Sequence, residues 1–284
     1  MMRLLLRKNL RDCGAETTAL GAGPRSARGL LRGASREAMI FALSLALVAA
    51  FWEVLARSGL YPIHLFPPPS RILPALRALA VSGELGMDLR ASALRWLAGF
   101  ALGTLCGAVA GFLTGGVRLL RESAGQVLHL CRTTPFIVLI PLAILWFGLG
   151  EIEKIAVVAW GAFFPVWLST QAGVLGVERE YVWAARCLGA RGMRLYWDVH
   201  RPRCLPFIVT GARVSISTAT FALAAAEMAG AFEGLAYRVF YAHQMFQTER
   251  MMAGILVIAF LGLALDRLFL WTIRRLMPWW EEER

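Results

Sequence analysis

Long runs without a charged residue dominate the chain. Trp96–Val117, Thr133–Gly150 and Ile155–Val177 carry none. Ala38–Trp52 is shorter, and reaches the length of a span if it runs on to Ser58 with Glu53 near its end. Cys204–Ala226 is interrupted only by Arg213, and Met251–Leu265 continues past Asp266 and Arg267 into Leu268–Ile273. A helix needs roughly 20 residues to cross the hydrocarbon core. In lipid the backbone must satisfy its own hydrogen bonds, which leaves helices and closed barrels. These runs are continuous rather than alternating, so the pattern predicts an all-α membrane protein with about six transmembrane helices.

Composition agrees. Of 284 residues, 58% are hydrophobic and only 17% charged, against about 25% charged in soluble domains. That excludes an ordinary soluble enzyme, a disordered chain and a disulfide scaffold. The net charge of +11 would suggest a nucleic-acid partner if it were evenly spread. It is not. In a six-span topology one side collects 21 Lys and Arg, in 1–37, 118–132, 178–203 and 266–284, and the other side seven. Positive residues stay inside, so both termini and the loop 178–203 are expected to be cytoplasmic. The charge then reflects topology, and the partner is membrane lipid, not nucleic acid.

The chain divides accordingly. Residues 1–37 read as a basic, disordered cytoplasmic tail or an early start; a transit peptide is a minor alternative. Residues 38–276 form the transmembrane domain, including the loop 178–203, and 277–284 a cytoplasmic tail. Both lysines, Lys8 and Lys154, lack a following Ser or Thr, so there is no G-x-x-x-x-G-K-[ST] phosphate loop. The four histidines form no H-E-x-x-H, and the five cysteines no C-x-x-C. No catalytic residue, metal site or cofactor is expected.

Two patterns carry mechanics. Gly99, Gly103, Gly107, Gly111 and Gly115 recur every four residues and form one drifting stripe on a helix. Such a stripe lets another helix approach closely, in a dimer or moving interface or in static packing within one bundle. The loop 178–203 reads as a helix over Tyr181–Leu188, a break at Gly189, a second helix over Met193–His200 and a stop at Pro202. That shape suits docking of a soluble partner, or simply a solvated loop.

Ionisable residues within or beside spans are functional candidates. Arg213 could attract an anion or snorkel to the interface. Glu227 ends a span and could face a gate or an outside protein. Arg132, before Thr133, Thr134 and Pro135, sits at the inner mouth. Asp266 and Arg267 could pair with neighbours.

The loop resembles the cytoplasmic signature of binding-protein-dependent ABC transporter permeases. Ala184 and Ala185, three residues, Gly189, nine residues, Val199 and then Pro202 fall at that spacing. Trp183 replaces the usual Glu, and Arg201 the usual Leu. Leu139–Gly150, Gly161–Pro165, Leu65–Ser70, Thr210–Arg213, Ala225–Glu227 and Met277–Trp279 resemble the nitrate/sulfonate/taurine permease group, over roughly residues 40–280. The resemblance implies a type I ABC importer permease fold in the plasma (inner) membrane. It implies cytoplasmic ABC ATPase subunits, an extracytoplasmic solute-binding protein and a second permease copy as partners. It implies transport of a small anionic solute such as taurine, an aliphatic sulfonate or nitrate. ATPase coupling would fall to Ala184, Ala185, Arg186, Gly189, Arg191 and Pro202, with the arginines meeting acidic groups or serving as positive-inside anchors. The translocation pathway or gate would use Arg132, Arg213 and Glu227. The alternative is a secondary transporter driven by an ion gradient, which often shows inverted repeats; none is evident.

Overall fold

The structure, a computed structural model, describes residues 27–277 except 61, 63, 196, 199 and 200; at 27–38, 41 and 193 it describes the backbone alone. Residues 1–63 and 64–284 form two units. In the first, helix α1 (Ala27–Arg57) begins ahead of the expected Ala38. Ala, Leu and Arg before that point are good helix formers and extend it. The expected disordered tail is therefore helical from Ala27, while residues 1–26 lie outside the described residues. Arg57 pairs with Glu53 one turn earlier, at 2.6 Å.

The second unit contains α2 (Pro69–Val81), α3 (Glu84–Gly116), α4 (Arg118–Glu122), α5 (Ala124–Thr133) and α6 (Phe136–Phe147). It continues with α7 (Glu151–Leu175), α8 (Arg179–Cys187), α9 (Met193–Leu195), α10 (Arg201–Gly230), α11 (Leu235–Gln244) and α12 (Thr248–Leu276). Among the described residues α3, α7, α10 and α12 are long and apolar enough to cross a membrane, with a fifth candidate if the bent segment 118–147 is one span.

That bend corrects the expected span Thr133–Gly150. The chain turns by 103° between α5 and α6. Pro135 disfavours helical geometry at the residue before it, and Thr134 is extended at φ −77° and ψ 120°. The 12 residues of α6 measure about 18 Å as helix, short of a core of roughly 30 Å. A second difference lies in α3, which starts at Glu84 after the left-handed Gly83 (φ 78°), well before the expected Trp96. The absence of charge marks the lipid-length part of a helix, not its end. Arg95 consequently lies inside α3.

Helix α7 is the centre of the unit. Val158, Ala162, Val166 and Trp167 have no exposed surface. One face of α7 meets α3 and another meets α10. All five stripe glycines are buried in the α3–α7 seam. A Cβ added at Gly99 would lie 2.6 Å from Val158 Cβ, and one at Gly111 only 2.5 Å from Thr170 Cβ. The stripe is thus filled by the chain's own α7, not by a second copy. Contacts this close supply dispersion energy where lipid offers little hydrophobic drive. On the α10 side, Gly211 packs against Ser169 and the Pro165 carbonyl. Two indole N–H groups pin the layers: Trp167 donates to Thr114 Oγ1 at 3.0 Å, and Trp96 to Thr220 Oγ1 at 3.1 Å. Phe260, Leu268 and Trp271 of α12 are exposed, as suits a helix facing lipid.

Candidate functional site

At one end of the bundle the start of α3, the start of α7 and the end of α10 converge. Arg95 is 2% exposed there. Its Nε and Nη2 donate to the two carboxylate oxygens of Glu151, at 2.6 and 2.7 Å. Its Nη1 donates to Glu227 Oε1 at 3.1 Å and to the Glu233 carbonyl at 2.7 Å. The two-pronged contact with Glu151 uses the planar fork of the guanidinium. Glu227 also accepts from Ser92 Oγ at 2.7 Å and from the Ala236 N–H at 3.0 Å.

The same cluster caps α11. A helix start leaves backbone N–H groups without partners. Here Gly234, Leu235 and Ala236 donate to Asp88, Ser92 and Glu227 respectively. Gly234 has φ 129°, and a Cβ there would lie 2.5 Å from the Glu227 carboxyl carbon, so the loop closes on the carboxylate only with glycine. Arg238 donates to Asp88 at 2.8 Å and lies 3.2 Å from Glu84. Burial opposes the Arg238 charge, but its bond to Asp88 and the charges of Asp88 and Glu84 hold its pKa above the ordinary value. Beside this cluster Lys154 pairs with Glu153 at 3.2 Å, both buried.

The candidate residues are spread over the molecule. Glu227, expected to face a gate or an outside protein, is 1% exposed and committed to the Arg95 cluster. Arg213, read as attracting an anion or snorkelling, instead lies 3.4 Å from Asp266 of α12, both partly exposed. Arg132 lines a cavity of about 440 Å³ at the α5–α6 bend, walled by Trp160, Phe164 and Ser169 of α7 and Thr218 of α10. Among the described residues no hydrogen bond or ion pair engages the Arg132 side chain.

The loop 178–203 lies at the opposite end of α7 and α10. Helix α8 ends in a left-handed turn at Gly189, φ 88°. The Ala190 N–H donates to the Ala185 carbonyl at 2.9 Å, and the Gly189 N–H to that of Arg186 at 3.0 Å. This is a Schellman cap, which needs a residue that tolerates positive φ. Ala184, Arg186, Gly189, Arg191 and Pro202 are exposed and Ala185 half-buried. The expected second helix, Met193–His200, is α-helical only over Met193–Leu195; residues 196, 199 and 200 lie outside the described residues. Pro202 does not stop that segment. It is the second residue of α10, where its missing N–H leaves no bond unmade. Arg203 lies over Tyr181 at 4.2 Å and Arg201 over Trp197 at 4.8 Å. Trp183 and Leu188 are exposed.

Sequence reasoning missed Arg95, Asp88, Ser92, Glu151 and Arg238. A signal exists for the first three. They precede Gly99 at spacings of three and four residues, so the glycine stripe continues into them as a polar stripe on the same face. Nothing local marks Glu151 or Arg238 as their partners.

A family model described as "Binding-protein-dependent transport system inner membrane component" matches residues 99–278. The chain is 34% identical over 234 residues to the putative aliphatic sulfonates transport permease protein SsuC of Bacillus subtilis, covering 82% of this chain and 85% of that protein. It is 32% identical over 250 residues to the taurine transport system permease protein TauC of Escherichia coli, covering 86% and 91%. The putative aliphatic sulfonates permease SsuC of Escherichia coli is 34% identical over 223 residues, covering 77% and 83%.

Proposed function

The chain belongs to the family of binding-protein-dependent transport system inner membrane components, and from that premise we propose that it imports a small sulfonate-class anion through a pathway made with a second copy of itself. It is a transmembrane permease subunit of an ABC importer, not a gradient-driven secondary transporter. ATPase subunits and a solute-binding protein are its partners by family. In our reading both termini and the loop 178–203 face the cytoplasm, as the uneven spread of Lys and Arg favours.

The observation that carries the mechanism is the exposed helix–Gly–helix loop joining α7 to α10, the two helices packed at the bundle centre. A push on that loop acts directly on both. Ala184 and Ala185 offer a small surface for close approach, and Gly189 fixes the bend. Pro202 starts α10 rigidly, and Arg186 and Arg191 offer charge to acidic groups on the ATPase. Trp183 and Arg201 make this contact more apolar and more basic than the usual Glu and Leu would.

Reconstitution with the ATPase and binding protein in liposomes tests the proposal. Uptake should require ATP, and Gly189→Pro should abolish it while the chain still inserts and folds. Uptake that follows an ion gradient without ATP would sink the reading. Undiminished uptake in Gly189→Pro would remove the loop from the coupling path.

A further inference from the structure

Arg132 differs from Arg95 and Arg213. Arg95 and Arg213 each meet a carboxylate of the chain. Arg132 meets none: it is exposed and lines the cavity at the α5–α6 bend. An exposed guanidinium without a carboxylate partner keeps its donors free, so an anion entering the cavity meets both a counter-charge and a planar fork. The hydroxyls of Thr134 and Ser169 also line it, and neither has a hydrogen-bond partner among the described residues. Phe164 and Trp160 form its apolar wall.

A second cavity of about 190 Å³ adjoins the first. The two share Phe136 and Trp160. The remaining lining of the second is apolar, including Leu139, Leu142, Trp146 and Val157. Cation and hydroxyls thus lie on one side of the Phe136–Trp160 pair, and a purely apolar slot on the other. No carboxylate lines either cavity among the described residues, so a ligand's ammonium group would find no counter-charge there.

We propose that these joined cavities form a two-part binding site in the permease itself, taking a singly charged anionic head at Arg132 and an uncharged apolar tail beyond Trp160. This rests on the import reading above and sharpens it. An alkanesulfonate fills both parts, taurine brings an ammonium group to an apolar slot, and nitrate leaves the slot empty. The site discriminates by the tail as well as the head, separately from any selection by the binding protein.

The test is calorimetric titration of the full-length chain in phosphatidylcholine nanodiscs, without binding protein, so that only the membrane site is read. The probes are methanesulfonate, propanesulfonate, hexanesulfonate and taurine. Affinity should rise with chain length by up to about fourfold per added methylene. Taurine should bind about tenfold or more weaker than propanesulfonate. Arg132→Gln should weaken hexanesulfonate about tenfold or more, as loss of a charge-assisted bond requires, while Arg132→Lys keeps part of the affinity. Trp160→Ala should flatten the dependence on chain length and spare methanesulfonate. Taurine binding as tightly as propanesulfonate, no binding of any probe, or full affinity in a folded Arg132→Gln would overturn the site. The probe series on the unaltered chain needs no variant to fold. ATP-driven uptake without probe binding removes this site and leaves the import reading standing. Probe binding with gradient-driven uptake does the reverse.

Discussion

The two ends of the helix bundle are both rich in arginine and treat it in opposite ways. At the first end Arg95 and Arg238 are answered by carboxylates and a carbonyl of the chain, drawn from α3, α7, α10 and the loop before α11. In the loop 178–203, Arg186 and Arg191 are exposed and engage no carboxylate among the described residues, Arg201 and Arg203 lie over aromatic rings, and only a loose, exposed pair at 3.8 Å joins Arg203 to Glu178. The difference follows from water. A buried guanidinium must carry its counter-charges with it; an exposed one is solvated and stays available to another molecule. The first end therefore holds the bundle together, and the second is open to a partner.

The sharpest way to break that contrast is to remove Arg95. Arg95→Ala leaves Glu227 buried without its ion partner and releases Glu151, the first residue of α7, from α3. Loss of one member of a buried pair destabilises by about 3–5 kcal/mol. We expect the thermal unfolding midpoint in mild detergent to fall further than in any loop variant. A midpoint equal to that of the parent chain would mean the cluster holds nothing together. Next comes the seam that extends from it. Gly111→Ala puts a methyl against Thr170 Cβ at 2.5 Å, and overpacking of this kind destabilises by about 1–3 kcal/mol. The same measurement reads it. A parent-like midpoint would show that α3 and α7 can part without loss.

These two sites were unequally legible. The glycine stripe shows in sequence because a four-residue period survives without knowledge of the partner helix. Its polar continuation through Asp88, Ser92 and Arg95 keeps to the same face at spacings of four and three, but counting charges assigns Arg95 to a loop. The partners of Arg95 are 56 to 138 residues away, and separation of that size leaves no local pattern. The bend at Thr134–Pro135 was masked in another way, since apolar residues on its far side make 133–150 look like one span. In the exposed loop the first helix and the break at Gly189 are legible, because a Schellman turn depends on Gly189 and its immediate neighbours, whereas the extent of the second helix and the place of Pro202 are not. Local geometry is written locally; ion pairs across the bundle are not.

The loop supplies the third test. Gly189→Val forces a branched side chain into φ 88°, a local strain of about 1–2 kcal/mol. Nothing lies within 4 Å of the added Cβ, so the effect stays in the cap. We expect the unfolding midpoint to move little and ATP-dependent uptake to fall steeply. A variant that unfolded early, as Arg95→Ala should, would show that this end too is part of the scaffold.

The smallest effect belongs to Arg213, and it separates pairing from position. Arg213 and Asp266 join α10 to α12 at 3.4 Å, with side chains 37% and 32% exposed. They sit neither in the Arg95 cluster nor in the cavity at Arg132. A partly exposed pair contributes only about 0–1 kcal/mol, because water screens it and two long side chains must be held still. Arg213→Gln should therefore shift the unfolding midpoint by far less than Arg95→Ala, although both remove a guanidinium from an ion pair. It should also leave anion uptake close to that of the parent chain, since the charge already has a partner on α12. If uptake of an anionic solute collapsed while the fold persisted, Arg213 would be a pathway residue after all. Burial would then no longer be what divides structural from functional arginines in this chain.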